Sequence, residues 1–194
     1  MTTFGFIRHG NTDWNIAKRV QGQTDVPLNE TGRRQAEALA DRLASEPWDA
    51  LISSDLARAR ETADIINRPF GHPIRMDTRL REQGYGRLEG MLEEECVQGW
   101  GTDWWRTGPQ VESRAEVLSR GLESITELAA EHPDSRLLVV SHGDTLCCLI
   151  NHILGRQAFT ELHNTSFSLI TYSNGRWQAE LLNCNRHLAT ETEG

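Results

Sequence analysis

Two arginines and two histidines follow the apolar segments that predict strands. Arg8 and His9 come directly after the first segment, Arg58 comes shortly after the second, and His142 comes directly after the most apolar one. Arginine binds anions through several N–H donors, and histidine changes its charge near neutral pH. Ligands of open α/β sheets bind beyond the carboxyl ends of the strands, where these four residues would meet. The pattern predicts an anion site, and a phosphoryl group is the favoured ligand.

Each of these side chains has an ordinary interpretation when it is taken alone. A single arginine is most often a solvated surface charge, and a single histidine is most often a polar core or surface residue. Four such residues at equivalent positions of the fold are harder to explain in this way. The chain as a whole is acidic, with 28 Asp and Glu against 20 Lys and Arg. A group of basic residues at one edge of the predicted sheet therefore contrasts with the overall charge of the chain.

The apolar spacing predicts a three-layer α/β/α fold with a mainly parallel central sheet. Strands are predicted at 4–7, 50–53, 74–76 and 136–141, followed by an antiparallel edge pair at 167–172 and 177–182. Helices are predicted at 29–48, from Leu56 to Ile66, at 111–131 and at 144–154. Residues 83–110 fit neither period, and we interpret them as a cover segment inserted into a single domain of residues 1–194. The alternative is a structural subdomain whose tryptophans pack against the body.

Composition limits the classes of protein that this chain can represent. Its 194 residues suit one domain, and a net charge of −8 argues against nucleic acid or an anionic membrane as partner. No apolar run approaches the roughly 20 residues of a membrane span, and Arg8 and His9 stand too early for a signal peptide. A cytoplasmic location is therefore expected. The four cysteines form no CxxC pair, and a monomer or a small homo-oligomer is consistent with the composition.

Four motifs occur in order along the chain. They are RHGNTDWN at 8–15 with QGQTDVPLNETGRRQA at 21–36, SSDLARARETA at 53–63, LREQGYGRLEG at 80–90, and VVSHGDTL at 139–146. Together they resemble the signature of the histidine phosphatase superfamily, which contains the phosphoglycerate mutases and their phosphatase relatives. The resemblance runs from the first predicted strand to about residue 150, and the closing strand pair also fits it. It is greatest toward the small broad-specificity phosphatases of bacteria.

The resemblance implies a role for each of the four basic residues. His9 would be the nucleophile that attacks phosphorus and becomes a phosphohistidine, so its ring must be neutral at working pH. Arg8 and Arg58 would lower the pKa of His9. Arg8, Arg58 and His142 would bind the phosphoryl oxygens, and a positively charged His142 would contribute most. Further phosphate contacts are implied for Asn15, Gln21, Gly22 and Gly143.

The resemblance implies that Glu82 is the general acid and base. It would protonate the leaving oxygen and then take a proton from the water that hydrolyses phosphohistidine, which predicts a pH optimum on the acid-to-neutral side. An exposed loop carboxylate is the ordinary alternative for Glu82, but the surrounding glycines Gly84 and Gly86 indicate a constrained turn. From the residues alone, the nearby Glu89 stays a second candidate for the acid.

The chain departs from the family pattern at two places, and the second of them distinguishes between the activities that the motifs allow. Asn11 stands where the family usually has Glu or Gln, which bears on the placement of the loop. The stretch from Gln83 to Gly86 lacks the two basic residues that mutases typically carry after Glu82, so hydrolysis of small phosphate esters is favoured. The alternatives are a cofactor-dependent phosphoglycerate mutase and, with less support, a non-catalytic phosphate-binding module.

The aromatic residues of the cover suggest a leaving group with an apolar or aryl part. The candidate residues that would cover the substrate are Tyr85, Met91, Trp100, Trp104 and Trp105. No cofactor and no metal are expected, because arginine and histidine would supply the charge, and Asp13, Asp25, Asp55 and His72 show no metal-ligand spacing. Asp55 is instead expected to cap the helix that follows it.

Overall fold

Six strands form one sheet in this computed structural model, which describes residues 1–158 and 160–191 of the chain. The strands are β1 (Thr2–Arg8), β2 (Ala50–Ser53), β3 (Ile74–Met76), β4 (Arg136–Ser141), β5 (Phe167–Ser173) and β6 (Arg176–Cys184). Their order across the sheet is β3-β2-β4-β1-β5-β6. The first four are parallel to one another, and β5 and β6 run antiparallel to their neighbours. The predicted mainly parallel sheet with an antiparallel edge is confirmed.

Helices pack on both faces of the sheet and make three layers. They are α1 (Asp13–Ile16), α2 (Glu30–Leu43), α3 (Ala57–Ile66), α4 (Glu93–Trp100), α5 (Trp104–Thr107), α6 (Arg114–Glu131) and α7 (Gly143–Ile153). Short 3₁₀ turns lie at Thr78–Leu80, Gly86–Leu88 and Arg186–Glu191. Leu137 and Val139 of β4 pack against α6 and α7, whereas Leu138 and Val140 pack against α2 and α3. The strand therefore needs an unbroken apolar sequence, because its alternating side chains enter two cores.

Two helices are shorter than the apolar spacing predicts. Asn29 caps α2 by accepting the Gly32 N–H at 2.9 Å, but the helix ends at Leu43 and not at Trp48. Pro47 disfavours helical backbone at the residue before it, and Trp48 packs edge-on against Phe167 in the core. The helix α6 begins at Arg114 and not at residue 111, because Ser113 and Glu116 form a reciprocal capping box there.

The expectation that Asp55 caps α3 is wrong. The Asp55 carboxylate accepts two hydrogen bonds from Arg81, at 2.5 and 2.7 Å, and so is taken by a residue distant in sequence. The first N–H of the helix, at Ala57, donates instead to Asp25 Oδ1 at 2.5 Å. The loop after the first motif is thereby attached to the start of α3, which carries Arg58.

The segment from residue 83 to 110 folds over the carboxyl ends of the strands with a small apolar cluster of its own. Tyr85, Leu88, Cys96 and Trp104 pack there with Val20 from the loop after α1. The Val20 N–H donates to Met91 O at 2.9 Å, which fastens the segment to that loop. Within the described ranges, no helix has the length and apolarity to cross a membrane.

Gly32 provides a test of how tightly the first motif packs on α2. A Cβ atom at Gly32 would lie 2.1 Å from the Asn11 carbonyl oxygen, which is backbone and cannot turn aside. Gly32→Ala should therefore lower the free energy of unfolding by about 1–3 kcal/mol, in spite of the better helix propensity of alanine. Urea unfolding measures this loss.

Gly99→Ala is the matched control, because Gly99 lies in α4 and a Cβ atom added there would meet nothing within 4 Å. That substitution should leave stability unchanged or raise it by up to about 1 kcal/mol. Equal effects of the two substitutions would contradict the close approach of Asn11.

Candidate active site

The carboxyl ends of three neighbouring strands bring the predicted basic residues together. Arg8 at the end of β1 is in register with Ser141 at the end of β4, and Ser53 at the end of β2 is beside Val140. The rings of His9 and His142 follow directly, with centroids 5.2 Å apart. The convergence that the sequence predicts is present in the structure.

A cavity of about 560 Å³ opens at this edge of the sheet. Predicted residues that line it are Arg8, His9, Asn15, Gln21, Gly22, Arg58, Glu82, Tyr85, Trp104 and Trp105. A smaller cavity of about 310 Å³ adjoins it and is lined by Gly143 together with Arg8 and Glu82. His142 is fully buried behind His9. The predicted cover residues Met91 and Trp100 are not in either lining: Met91 packs in the apolar cluster of the cover, and Trp100 is 39% exposed.

His9 presents a neutral nitrogen with a free lone pair. Its Nδ1 lies 2.7 Å from Gly10 O, and because a carbonyl only accepts, Nδ1 must carry the proton. Burial, followed by the positive charges of Arg58 and Arg8, holds the pKa of His9 well below its ordinary value. The lone pair is therefore on Nε2, and the ring is unprotonated at neutral pH.

Arg58 is a fully buried cation without a carboxylate partner among the described residues within 4.0 Å. Its two terminal nitrogens donate to the carbonyl oxygens of Thr24, at 2.9 Å, and Gly22, at 2.7 Å. Burial lowers its pKa to about 10, so the guanidinium still carries its charge at neutral pH. A buried charge paired only with carbonyl dipoles is costly, and an anion bound beside it would offset that cost.

Three buried N–H groups at the cavity have no hydrogen-bond partner within the described part of the chain. They are Arg8 Nε, Arg58 Nε and His142 Nδ1. Buried polar groups are paired in most proteins, and these three nitrogens belong to residues that follow three adjacent strands, so an anion bound there would supply the missing acceptors. A phosphoryl group has oxygens enough for all of them.

The surroundings of His142 disfavour the positive charge that the resemblance implies for it. Burial, Arg58 and His9 hold the pKa of His142 well below its ordinary value, so the ring is neutral when no anion is bound. Ser54 Oγ lies 2.8 Å from His142 Nε2 and accepts from the Leu56 N–H at 3.4 Å, so the hydroxyl proton is free to point at the ring. In the tautomer in which the Ser54 hydroxyl donates to Nε2, the ring proton is on Nδ1, the nitrogen without a partner.

The polar side chains of the first motif are oriented by Thr12. The Thr12 N–H donates to Asn15 Oδ1 at 3.1 Å, and the Thr12 hydroxyl lies 3.1 Å from Gln21 Oε1. With their oxygens engaged, Asn15 and Gln21 have NH₂ groups available as neutral donors. Asn11, the departure from the family pattern, accepts from Asn29 Nδ2 at 3.0 Å and so joins this loop to the cap of α2.

Glu82 is buried, with 8% of its surface exposed, and lies at the junction of the two cavities. Its Oε1 accepts from the Gln83 and Thr145 N–H groups, each at 3.0 Å, and its Oε2 accepts from the Asp144 N–H at 3.2 Å. Burial and the nearby Asp144 carboxylate raise the pKa of Glu82. A carboxyl with a raised pKa holds its proton at a higher pH, as a general acid must.

Glu89, the alternative acid, is engaged in the structure of the loop. Its Oε1 accepts from the N–H groups of Gln23 and Tyr85, each at 3.0 Å, and its Oε2 accepts from the Thr24 hydroxyl at 2.7 Å. It lines neither cavity. Gly22 has a φ of 50° and touches this carboxylate so closely that a Cβ atom would lie 2.2 Å from Glu89 Oε1. Glu89 therefore holds the loop whose carbonyls bind Arg58.

The cavity lining also contains residues to which the sequence alone assigns no role. They are Trp14, Lys18, Arg19, Val20, Glu93, Arg114, Asp144 and Glu161. Trp14 and Asp144 lie within the motifs quoted above, so the sequence could have indicated that they line the site. Arg114 and Glu161 lie outside the motifs and reach the cavity only through the tertiary fold. Among the described residues, no group of three or more His, Cys, Asp or Glu could hold a metal ion.

Comparison with known proteins agrees with the geometry. The pattern of the histidine phosphatase superfamily (branch 1) matches residues 4–185. A Bacillus subtilis protein named "Uncharacterized phosphatase PhoE" is 33% identical over 97% of this chain and 98% of its own, and a Proteus mirabilis protein named "Probable phosphoglycerate mutase GpmB" is 38% identical over 89% and 86%. A mycobacterial glucosyl-3-phosphoglycerate phosphatase, solved in complex with VO3, superposes with a TM-score of 0.87 at 30% identity, covering 94% of this chain and 99% of its own.

Inorganic phosphate should stabilise the protein by binding the three unpaired donors. At a concentration of one hundred times Kd, the gain is about 2.7 kcal/mol, or roughly 5–11 °C in Tm for a chain of this size. Arg58→Met should remove most of that rise, whereas Arg60→Met, which deletes an exposed charge from the same helix, should keep it. Differential scanning fluorimetry against phosphate measures both, and equal shifts in the two variants would contradict the anion site.

Proposed function

The chain belongs to the histidine phosphatase superfamily, and from that premise we propose that it is a metal-independent phosphomonoester hydrolase that works through phospho-His9. The observation that supports this most is the group of three unpaired donors around a neutral, correctly protonated His9. Its substrates would be small phosphorylated metabolites, since the cavity of about 560 Å³ suits a compact ester.

In the first step, His9 Nε2 attacks phosphorus with its lone pair. The N–P bond forms, the bond from phosphorus to the ester oxygen breaks, and the leaving oxygen takes the proton from Glu82. The ring becomes positively charged, and the Gly10 carbonyl stabilises that charge through its bond to Nδ1–H. Arg8, Arg58 and His142 bind the equatorial oxygens, where negative charge spreads in the transition state.

In the second step, ionised Glu82 takes a proton from a water molecule that attacks phosphorus. The N–P bond breaks, its electron pair returns to His9 Nε2, and inorganic phosphate leaves. Glu82 ends protonated and His9 ends neutral, so the site is restored. One carboxyl with a raised pKa serves both steps, first as acid and then as base.

The second candidate is a cofactor-dependent phosphoglycerate mutase, which similarity to GpmB of Proteus mirabilis favours. A mutase must retain a bisphosphate beside phosphohistidine, which calls for a strongly basic pocket. Here the outer lining mixes Lys18, Arg19 and Arg114 with Glu93 and other carboxylates. That balance supports hydrolysis. A non-catalytic phosphate-binding module has less support, because every residue of the proposed mechanism is present.

The cellular location, the partners and the oligomeric state of the protein are the properties that the structure leaves as predictions. A cytoplasmic location and the absence of a nucleic-acid partner stay predictions from composition and charge. A monomer or small homo-oligomer is likewise a prediction, and no cofactor is included in the mechanism.

Phosphate release from an aryl phosphate in the presence of EDTA tests the proposed function, with 3-phosphoglycerate assayed alongside. We expect turnover that survives EDTA and that His9→Ala abolishes, because the substitution removes the attacking nitrogen. His152→Ala is the matched control, since His152 is exposed on α7 and distant from the cavity lining.

Three other results would contradict the proposal. Loss of turnover with EDTA would indicate an essential metal. Appearance of 2-phosphoglycerate after priming with a bisphosphate, without aryl phosphate turnover, would establish the mutase. Activity retained in His9→Ala would exclude the phosphohistidine route.

A further inference from the structure

The carboxylate of Glu82 lies over the first turn of α7. Three backbone N–H groups donate to it, from Gln83, Asp144 and Thr145, at 3.0, 3.2 and 3.0 Å. Hydrogen bonds of this kind, like the partial positive charge of a helix N-terminus, favour the ionised form of a carboxyl. Taken alone, they would make Glu82 too strong an acid to keep a proton for the leaving oxygen at neutral pH.

Asp144 lines both cavities together with Glu82, and its negative charge is, after burial, the cause that raises the pKa of that carboxyl. Its Oδ2 accepts from the Tyr85 hydroxyl at 2.7 Å, and Tyr85 is itself buried in the cover, with 5% of its surface exposed. Arg114 Nη2 lies 4.0 Å from the other oxygen and also stacks on the Trp105 ring, so it neutralises Asp144 only in part. The short bond from Tyr85 therefore keeps the charge of Asp144 on the side of the cavity.

We propose that Asp144, oriented by Tyr85, is the positioning residue that acts together with burial to keep the proton on Glu82 until the leaving oxygen takes it. The Asp144 carboxylate opposes the effect of the three backbone donors, because its negative charge repels that of ionised Glu82. The inference rests on the proposed function, because it specifies how the general acid of that mechanism is maintained. It also gives the cover segment a part in the chemistry, since Tyr85 belongs to the cover and Asp144 to α7.

Several other groups face Glu82, and their charges set the size of the effect. Arg58 from α3 favours the ionised form, Arg8 from β1 lines both cavities with Glu82, and the low pKa values of His9 and His142 keep their rings uncharged at neutral pH. Arg120 from α6 donates to the Glu82 backbone oxygen at 2.9 Å, and to Glu112. Asp144 is the carboxylate that raises the pKa of Glu82, so its removal leaves burial alone against the cations.

Asp144→Asn tests the proposal, because the amide keeps the shape and can still accept from Tyr85. The pKa of Glu82 should fall by about half a unit to one unit, a modest shift since the Asp144 side chain is 41% exposed. Carbon-13 NMR of labelled glutamate carboxyls, with Glu82→Gln for assignment, measures that pKa without any need for turnover. Asp103→Asn is the matched control, because Asp103 pairs with Arg106 in the cover and lies outside both cavity linings.

The pH dependence of kcat for an alkyl phosphate is the second readout. The acid form of Glu82 is lost as pH rises, so the alkaline limb should move to lower pH in Asp144→Asn by the same amount as the NMR value. Asp144→Glu keeps the negative charge, so its alkaline limb should lie close to that of the unmodified protein. Asp103→Asn should not move the limb.

The possible failures are distinguishable. A Glu82 titration that is unchanged in Asp144→Asn, or a rate that falls equally at every pH, would overturn the proposal and leave Asp144 with a structural role. A shifted titration in a protein without phosphatase turnover would support the electrostatic role of Asp144 and instead overturn the proposed function.

Discussion

The buried guanidinium of Arg58 is the interaction on which the rest of the site depends. A charge that is fully removed from water must be compensated, and here the described residues offer it carbonyl oxygens but no carboxylate. Those carbonyls belong to Gly22 and Thr24, in a loop that Glu89 holds and that Asp25 attaches to α3. The fold thus gives up stability to keep one cation ready for an anion.

The same positive charge prepares the nucleophile. Burial together with Arg58 and Arg8 lowers the pKa of His9 and keeps its ring unprotonated, and the Gly10 carbonyl fixes the proton on Nδ1 so that Nε2 is free. On the other side of the cavity, burial and Asp144 act on Glu82 in the opposite sense and favour its protonated form. A neutral base and a carboxyl whose pKa is raised therefore lie beside two buried arginines, which is the distribution of charge that transfer of a phosphoryl group needs.

The sequence predicted most of this arrangement where a local pattern controls the structure. The apolar run of β4 and the residues that follow the strands were enough to place Arg8, His9 and His142 at one sheet edge. Partners that come from distant segments were not predictable: Asp55 was expected to be a cap because its pairing with Arg81 leaves no trace in the local sequence. Glu82 and Glu89 are likewise distinguished only by the tertiary fold, which places Glu82 and not Glu89 in the lining of the cavities.

Identification of the atom that carries phosphorus during turnover is the sharpest test of hydrolysis through phospho-His9. The protein is mixed for milliseconds with a phosphorus-32-labelled aryl phosphate, quenched in base, and digested for mass spectrometry, while phosphorus-31 NMR reports the ring nitrogen that carries phosphorus. We expect an acid-labile, base-stable phosphate on Nε2 of His9 that is absent from His9→Ala. Turnover without any phosphoenzyme, or a label on another residue, would contradict it.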